Sequence, residues 1–454
     1  MAPSPTGFLH IGTARTAIFN WLFVRHHGGK FVLRMEETDP ERSEKRFEDD
    51  ILSGFKWLGL DWDEFYKTSD RTPIYSKYIE QLVNEGKAFW CYHTKEELEN
   101  ESRDQIEGKE LPRHVCSYKK EKVEHKGKPG VIRLATDENS FRKIAFDDII
   151  RGHIEFEERL LGDFSIARNL ESPLYHFQVV VDDYEMNISH VIRGDDHIAN
   201  TPKHILLQEA LGFEIPQFAH MPMILGEDKS KLSKRHGATS LIEYINLGYL
   251  PEAIVNFIAL LGWTPPDDRE ILSLNELVEL FDLNKVHKSG AVFDIKKLDW
   301  MNGEYIKKMT DADLVEKLAD RLGEKINKDY IFKMLPLVRE RIKKLSDISE
   351  FDYFFEDPSY ESDLLIWKSR DQDDIKNTLM GVSKIIEKIG LEDKVSLRQE
   401  LDNFGKEIED RGLVYWPFRA ALTGKKASPD PVDVACVLGK EKTLERIDSA
   451  ISKL

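Results

Sequence analysis

Apolar residues near the start of the chain recur with the spacing of one face of an α-helix. Between positions 14 and 24 these residues are Ala14, Ala17, Ile18, Trp21 and Leu22. Two glycines at 28–29 predict a turn after this helix, and residues 31–35 predict a short buried strand. Because prolines and glycines precede His10, the helix cannot begin earlier, and its first amides keep free donors. Such a helix end attracts anions, to which His10 would add a donor; the alternative is an ordinary cap beside one polar residue.

The same kind of pattern divides the chain into an α/β half and a helical half. Helix and strand signals alternate at the start, as they do in α/β units. Residues 94–130 are charged and poor in apolar side chains, which predicts a peripheral helical segment. Alternating residues at 131–135 and 152–158 predict antiparallel strands. The apolar runs at 179–181 and 191–192 predict buried strands.

Helical periodicity dominates beyond about residue 240. Residues 250–263 and 374–390 show it most clearly. The order of elements therefore predicts an α/β sheet that is interrupted by a smaller α+β insertion and followed by an all-α half.

Composition adds constraints on compartment and partners. A chain of 454 residues has room for about three domains, and its 41% apolar and 32% charged content is typical of a soluble globular protein. No apolar run approaches about 18 residues and no signal peptide is recognisable, so we expect a cytoplasmic protein without a membrane partner. The three cysteines, Cys91, Cys116 and Cys436, cannot form a disulfide scaffold. A net charge of −17 argues against indiscriminate nucleic-acid binding but leaves room for a local basic track.

A second stretch with candidate phosphate chemistry is KLSKRHG at 231–237. It places Lys231, Lys234, Arg235 and His236 in a segment without helix or strand periodicity. Mobile lysines suit the negative charge that develops when a phosphoryl or adenylyl group is transferred. Taken alone, the alternative is a solvated basic loop.

Together, His-Ile-Gly-Thr at the first strand-to-helix turn and Lys-Leu-Ser-Lys far along the chain resemble the two signatures of class I aminoacyl-tRNA synthetases. The chain then resembles the glutamyl-tRNA synthetase family over nearly its whole length. The segments that carry this resemblance, in the family's order, are APSPTGFLHIGTARTAIFNW, EETD, WLGLDWDE, YHFQVVVDD, HVIRGDDH, KLSKRHG, MNGEY and PFRAALTG.

The resemblance implies a Rossmann-like parallel-sheet catalytic domain with an α+β insertion, followed by all-α C-terminal anticodon-binding domains. It implies that the protein activates L-glutamate with ATP and Mg²⁺ to glutamyl-adenylate. The glutamate would then pass to the 3′ end of tRNA(Glu), for use in translation, and we expect a monomer. The alternatives are a glutaminyl-tRNA synthetase and a non-catalytic paralogue that binds tRNA.

The resemblance also suggests domain boundaries. The expected domains are a catalytic domain in two parts (1–75 and 175–225), an inserted acceptor-stem-binding domain (76–174), a stem-contact domain with the KLSKR loop (226–310) and two helical anticodon-binding domains (311–365 and 366–454).

By the same resemblance, one group of residues would handle ATP. His10, Gly12, Lys231 and Lys234 would hold the phosphates, and Asp196 would lie on the adenosine side. Thr13 stands where many relatives have a second histidine, and its hydroxyl can still donate. Because activation mainly requires positioning and charge neutralisation, His10, Thr13, Lys231 and Lys234 are the expected catalytic residues.

A second group would bind the amino acid. Glu36 resembles the acceptor of the substrate ammonium group, with Ala2, Ser4 and Tyr175 in the same crevice. Arg193 resembles the residue that binds the side-chain carboxylate. An arginine fork suits a carboxylate and gains nothing comparable from an amide, which favours glutamate over glutamine. The alternative for Arg193 is a structural ion pair with Asp195 or Asp196.

Two further positions depart from the family pattern. Val179 stands where some relatives have a substrate-binding asparagine. The family also has an arginine two residues before the Ala-Pro-Ser-Pro-Thr-Gly segment, where this sequence has only Met1. We expect from this that the native chain starts upstream of Met1, which the intact mass of the naturally expressed protein would test.

A possible structural zinc site lies in the predicted insertion. Cys91, His93 and Cys116 are candidate ligands, with Tyr118 as the fourth and His114 or His125 as alternatives. Some relatives hold zinc here with Cys-x-Cys where this chain has Cys-x-His. The alternative is unlinked cysteines beside exposed histidines.

The helical half shows no chemistry of its own. By resemblance, Trp416 and Phe418 belong to the anticodon-binding part, where they would stack on bases or pack in a core. Cys436 is expected to be a small core residue.

Overall fold

A computed structural model of the chain describes residues 1–37, 42–120, 127–233, 235, 237–323 and 326–454. These residues form two compact units. The first consists of Met1–Ile245 and Pro251–Leu298, and the second of Asn246–Leu250 and Asp299–Leu454. Among the described residues, no helix combines the length and apolar character that crossing a bilayer requires.

Along the described residues, helices and strands are interspersed in the first unit, whereas helices follow one another in the second. The helices are α1 Ile11–His27, α2 Lys45–Trp57, α3 Thr72–Asn84, α4 Lys95–Glu107, α5 Tyr175–Glu185, α6 Thr201–Leu211, α7 Leu241–Leu247, α8 Pro251–Ala259, α9 Leu274–Leu280, α10 Ile295–Lys308, α11 Asp311–Leu322, α12 Lys328–Val338, α13 Gln372–Ile389, α14 Lys394–Glu407, α15 Arg411–Thr423, α16 Pro431–Leu438 and α17 Lys440–Lys453. The strands are β1 Val32–Met35, β2 Glu64–Lys67, β3 Ala88–Cys91, β4 Val131–Leu134, β5 Lys143–Asp148, β6 Gly152–Glu157, β7 Ser165–Asn169, β8 Ser172–Pro173, β9 His190–Gly194, β10 Gln217–Met221, β11 Ile224–Leu225 and β12 Ala291–Val292.

The first helix and strand confirm the predicted elements. Helix α1 has His10 as its N-cap and ends at Gly28, whose φ of +65° is a left-handed conformation that glycine adopts without a Cβ penalty. Strand β1 then pairs in parallel with β2. The N-terminal residues run beside β1, because the Met1 and Pro3 carbonyls accept from the amides of Arg34 and Glu36.

The first unit contains a four-stranded sheet with the order β6-β5-β10-β9. Strand β10 is parallel to both β5 and β9, while β6 joins β5 as an antiparallel hairpin. The predicted strand at 152–158 is therefore antiparallel as expected, but it extends the parallel sheet rather than a separate one. Parallel strands place their carboxyl ends at one edge, where ligands of open α/β sheets bind.

The predicted strand at 179–181 is wrong, because these residues lie in α5. Val179, Val180 and Val181 are all buried, so the helix presents apolar side chains on more than one face. A short run of β-branched residues is typical of a buried strand, yet burial on several sides makes the same run compatible with a helix. Tertiary packing outweighed local preference here.

The insertion forms an antiparallel sheet with the order β3-β4-β7-β8. The peripheral helical segment predicted at 94–130 contains α4, which a capping box from Thr94 and Glu97 begins. None of the α4 side chains is buried, as its charged sequence predicted.

The second unit confirms the predicted all-α half, since its described residues contain helices and no strand. Phe418 on α15 is fully buried and therefore belongs to the core of this unit. Trp416 is partly buried, and its indole donates to the Leu364 carbonyl at 2.9 Å. Cys436 is half-buried, and its thiol donates to the Leu391 carbonyl at 3.3 Å.

Candidate active site

A cavity of about 590 Å³ opens at the carboxyl ends of β1, β9 and β10, in the first unit. It brings together residues that are far apart in the sequence. The predicted site residues that line it are Ala2, Ser4, His10, Gly12, Thr13, Glu36, Tyr175, Arg193, Asp196 and Lys231. Lys234 lies outside the described residues. Among the residues that the structure describes, Lys231 and the first signature thus line the same cavity.

His10 caps α1 with its side chain. Its Nδ1 accepts the amide hydrogen of Gly12 at 3.0 Å, so the neutral ring carries its proton on Nε2. Burial, with the nearby Lys231 charge, lowers the pKa of His10 and keeps the ring neutral. The amide of Ile11 donates to Thr239. The amides of Ile11 and Gly12 therefore already donate to groups of the protein. Fewer amides at the start of α1 remain free for an anion than the sequence predicted.

Gly12 is required where it stands for a local reason. A Cβ added there would lie 3.3 Å from His10 Nδ1, which is tighter than an ordinary contact. The glycine allows the imidazole to fold back onto its own helix.

Lys231 follows a tight turn. The amide of Gly226 donates to Ser230 and that of Leu232 donates to Ile224, so that Leu225 and Lys231 face each other across an antiparallel bridge. Arg235 contacts Asp228 at 3.2 Å on the outside of the turn. The backbone geometry thus holds the start of the lysine segment at the cavity while the Lys231 side chain stays exposed.

Glu36 lies in a buried ionic network that sequence reasoning missed. Arg34 contacts Glu36 at 3.1 Å and Asp183 at 3.0 Å, and both Arg34 and Glu36 are almost completely buried. Burial raises the pKa of Glu36, which the Arg34 charge opposes. A charged residue inside the apolar run at 31–35 was the available signal, because such residues are rarely buried without a partner.

A second carboxylate in this network has no exposed surface. Asp182 accepts from Arg71 at 2.6 Å and from the Tyr75 hydroxyl at 2.7 Å. It lies within 3.6 Å of Arg34. These contacts anchor α3, α5 and β1 to one another behind Glu36.

Arg193 at the end of β9 is bound by uncharged groups. Its guanidinium donates to His220 at 3.1 Å and to the Thr201 hydroxyl at 2.8 Å. Among the described residues no carboxylate forms an ion pair with it, and the predicted alternative of a pair with Asp195 or Asp196 is not found. Burial lowers the pKa of Arg193, but an arginine remains charged at any pH of interest.

The two aspartates after Arg193 have separate surroundings. Asp195 pairs with Arg151 at 2.5 Å. Asp196 lines the cavity and lies so close to Gly194 that an added Cβ there would be 2.5 Å from its Oδ1.

Tyr175 and Val179 project from the first turns of α5 into the same cavity. The Tyr175 hydroxyl lies 3.4 Å from His197 Nδ1. Burial, reinforced by the Glu36 charge, raises the pKa of Tyr175 to about 12, so the phenol keeps its proton. Val179 offers no polar group to the cavity, as expected for a valine at a position where some relatives have an asparagine.

Four cysteine and histidine side chains meet on the insertion. The donor atoms of Cys91, His93, His114 and Cys116 all lie within 4.8 Å of one another. His114 therefore completes the group in place of the predicted Tyr118, whose hydroxyl accepts from Lys128 at 3.1 Å. His125, another predicted alternative, lies outside the described residues.

The group has the outer contact expected around a metal. His114 Nε2 faces Cys91 at 3.6 Å, while its Nδ1 contacts Glu101 on α4 at 2.5 Å. Hydrogen bonding to Cys116 and to the two imidazoles lowers the pKa of Cys91. Two cysteine thiolates and two histidine imidazoles are a common ligand set for tetrahedral zinc. A carboxylate that contacts the other nitrogen of a ligand histidine fixes the orientation of its ring.

Comparison with known proteins matches both halves of the chain. Residues 1–300 match the family described as tRNA synthetases class I (E and Q), catalytic domain, and residues 313–451 match an anticodon binding domain. A glutamate–tRNA ligase of Aquifex aeolicus is 45% identical, with 100% of this chain and 98% of the relative covered. Glutamate–tRNA ligase 2 of Thermoanaerobacter pseudethanolicus is 43% identical, with coverages of 99% and 97%.

Solved structures show the same likeness. A glutamate tRNA ligase from Elizabethkingia meningosepticum, crystallised in complex with its amino acid, superimposes with a TM-score of 0.89 at 31% identity. The match covers 100% of this chain and 98% of that one.

Proposed function

Because this chain belongs to the class I tRNA synthetases of the glutamate and glutamine group, we propose that it works as a glutamate–tRNA ligase. It activates L-glutamate with ATP and transfers the glutamate to the 3′ end of tRNA(Glu). The observation that carries the choice of amino acid is Arg193, a half-buried cation in the cavity without a carboxylate partner among the described residues. A side-chain carboxylate supplies that partner, whereas a neutral amide does not.

Activation forms a bond between the α-carboxylate of glutamate and the α-phosphorus of ATP, and pyrophosphate leaves. No strong base is needed, so the protein mainly positions the reactants and neutralises charge. His10 donates from Nε2 and Thr13 from its hydroxyl, while Lys231 and Lys234 supply positive charge. Asp196 binds on the adenosine side. When bound with ATP, Mg²⁺ would offset the repulsion between the ATP phosphates and the incoming carboxylate.

Glutamate is held at both ends. Glu36 accepts hydrogen bonds from the substrate ammonium group. Burial raises the pKa of this carboxylate, and the neighbouring Arg34 charge favours its ionised form against that effect. Arg193 takes the side-chain carboxylate as a fork. Tyr175 packs or donates between them, with Ala2 and Ser4 along the wall.

The tRNA contacts extend beyond the cavity. The insertion at 76–174 would bind the acceptor stem, and 226–310 would contact the stem beside the lysine loop. The segments 311–365 and 366–454 would bind the anticodon, in keeping with the matched anticodon domain. Since Phe418 is buried, Trp416 is the better candidate of the two for stacking on a base.

Zinc is the proposed structural metal of the insertion. Cys91, His93, His114 and Cys116 would hold it, with Glu101 orienting His114. The ion would stabilise a loop whose own apolar core is small, and it takes no part in activation.

Charging of total tRNA tests this function directly. Purified protein is incubated with ATP, Mg²⁺, tRNA and radiolabelled glutamate or glutamine, and pyrophosphate exchange is followed in parallel. We expect charging with glutamate and an Arg193→Gln variant that loses it. Preference for glutamine would identify the glutaminyl enzyme, and tRNA binding without charging would identify a non-catalytic paralogue.

A further inference from the structure

Arg193 lies in a hydrogen-bonded chain that crosses three neighbouring strands. His220 on β10 stands opposite Arg193 on β9 in the strand register, and its Nε2 accepts from Arg193 Nε at 3.1 Å. On its other side, His220 Nδ1 contacts Asp148 at the end of β5 at 2.6 Å. His220 and Asp148 have no exposed side-chain surface. The contact between His220 and Asp148 is therefore closed to water.

The direction of each hydrogen bond follows from Arg193, which can only donate. His220 Nε2 must accept, so its proton is on Nδ1 and points at Asp148. This requires neutral imidazole, which burial favours by lowering the pKa of His220. Asp148 in turn accepts backbone amides from Ile150 and Arg151 and is rigidly held.

Helix α6 completes the support from the other side. Thr201 Oγ1 accepts from Arg193 at 2.8 Å, and His204 Nδ1 lies 3.4 Å from the guanidinium. His204 Nε2 lies 3.1 Å from His176, so this ring is also used at both nitrogens. All these groups are uncharged acceptors, so they orient the guanidinium without neutralising it.

We propose that His220, held by Asp148, is a positioning residue that aims the Arg193 guanidinium at the substrate side-chain carboxylate and thereby sets the preference for glutamate over glutamine. The proposal rests on the proposed function, because it assigns that carboxylate to Arg193. His220 does not touch the substrate. It controls the direction of the arginine fork, and a bidentate contact depends on that direction.

Replacing His220 tests the positioning role. Leucine in His220→Leu has similar bulk but no acceptor, while glutamine in His220→Gln can still accept where Nε2 stood. We expect His220→Leu to raise the KM for glutamate in pyrophosphate exchange by about tenfold to a hundredfold, the scale of one hydrogen bond to a charged group. The KM for ATP should change by less than about twofold, because His10 and Lys231 are untouched. His220→Gln should recover most of the glutamate affinity.

The preference for glutamate over glutamine provides a second readout, because a variant that merely lowers the stability of the fold would not change this ratio. The ratio of kcat/KM for glutamate to that for glutamine should fall about tenfold in His220→Leu and stay near wild type in His220→Gln. If His220→Leu does not fold, His220→Asn takes its place, because asparagine can pair with Asp148 but is too short to reach Arg193.

A matched control exists at the C-terminal end of α1. His27 is exposed, and its Nδ1 lies 2.9 Å from the Phe23 carbonyl. His27→Leu should leave both KM values unchanged. Equal losses in the leucine and glutamine variants, or parallel rises in the KM for glutamate and ATP, would overturn the proposal. Wild-type protein that does not charge tRNA with glutamate would instead reject the proposed function.

Discussion

One backbone amide, that of Gly12, fixes which ring nitrogen of His10 carries the proton and faces the cavity. Because Gly12 N–H donates to Nδ1, the ring must offer Nε2–H to the cavity, and its lowered pKa keeps that neutral form at physiological pH. The same side chain is therefore both a helix cap and a donor for a bound anion. The two roles can be separated by substitution.

We expect His10→Ala and His10→Asn to slow pyrophosphate exchange alike, by about 10²–10³, since both remove the Nε2 donor. They should differ in stability. Asparagine is a good N-cap, whereas alanine loses about 1 kcal/mol of cap stabilisation. Thermal unfolding and exchange rates measure the two effects, and a near-normal rate in His10→Asn would show that the cap alone matters.

Buried imidazoles make the first unit sensitive to acid. Burial, assisted by the Lys203 and Arg193 charges, lowers the pKa of His176 from an ordinary 6.5 to about 4. Burial and the Arg193 charge also lower the pKa of His204 well below its usual range. Between about pH 6.5 and about pH 4, these histidines are protonated in the unfolded chain but neutral in the folded one. Stability is therefore full above about pH 6.5 and declines as pH falls toward about 4.

His176→Asn should reduce this acid sensitivity, because asparagine does not titrate but can still accept from His204. Between about pH 7 and about pH 5 the wild type should lose about 1 kcal/mol more unfolding free energy than the variant, allowing for partial exposure of His176. Denaturant unfolding at the two pH values measures the difference. Identical pH profiles would mean that His176 is not a titrating contributor.

Among the elements, α1 shows how a helix end becomes part of a site. Its first turn is closed by His10 and by the Thr239 carbonyl, which comes from the segment after the lysine loop. The two signature regions are thus joined by backbone contact as well as by chemistry. A substitution in the first turn can therefore stabilise the helix and still lower the activity.

Gly12→Ala provides that test. Alanine favours the helix by about 0.5–1 kcal/mol, so thermal stability should hold or rise. The new Cβ would lie 3.3 Å from His10 Nδ1 and push the imidazole out of line. We expect an exchange rate about tenfold to a hundredfold lower, because small misplacements of catalytic groups are costly. An unchanged rate would show that the ring tolerates displacement.

At the scale of the molecule, the cavity and the Cys/His group belong to different sheets of the first unit. The cavity lies in the parallel sheet, while the four-residue Cys/His group lies on the antiparallel insertion. That group closes a small apolar cluster of Phe89, Cys91 and Cys116. Loss of the proposed zinc should therefore unfold the insertion before it affects the cavity.

We expect a stoichiometric amount of zinc in the purified protein and little in a Cys116→Ser variant, as metal analysis can measure. Charging of tRNA should fall much further than pyrophosphate exchange, since the proposed acceptor-stem contact lies on the insertion. His27→Leu, outside the insertion, serves here as a control that keeps all four ligands. Metal-free protein with full charging would contradict the structural role.

Much of the architecture was accessible from the sequence because it depends on local periodicity. Helix α1, strand β1 with its glycine turn, and the helices of the second unit follow from spacing that each segment carries by itself. The described residues that the resemblance selected line one cavity, since motif residues follow strand ends that meet at one sheet edge. Lys234 remains a prediction, as do the individual roles of the site residues.

What the sequence determined by itself was therefore the list of elements and the kind of chemistry. The tertiary structure alone decided which residues are in contact. Residues 179–181 are compatible with the helix α5 because their side chains are buried on several sides. His114, rather than Tyr118, joins the Cys/His group because the fold brings it next to Cys91. The partnership of His220 and Arg193 likewise exists only once β9 and β10 pair. The physical reason is that a hydrogen bond or a metal contact depends on distances between distant segments, which no local pattern encodes.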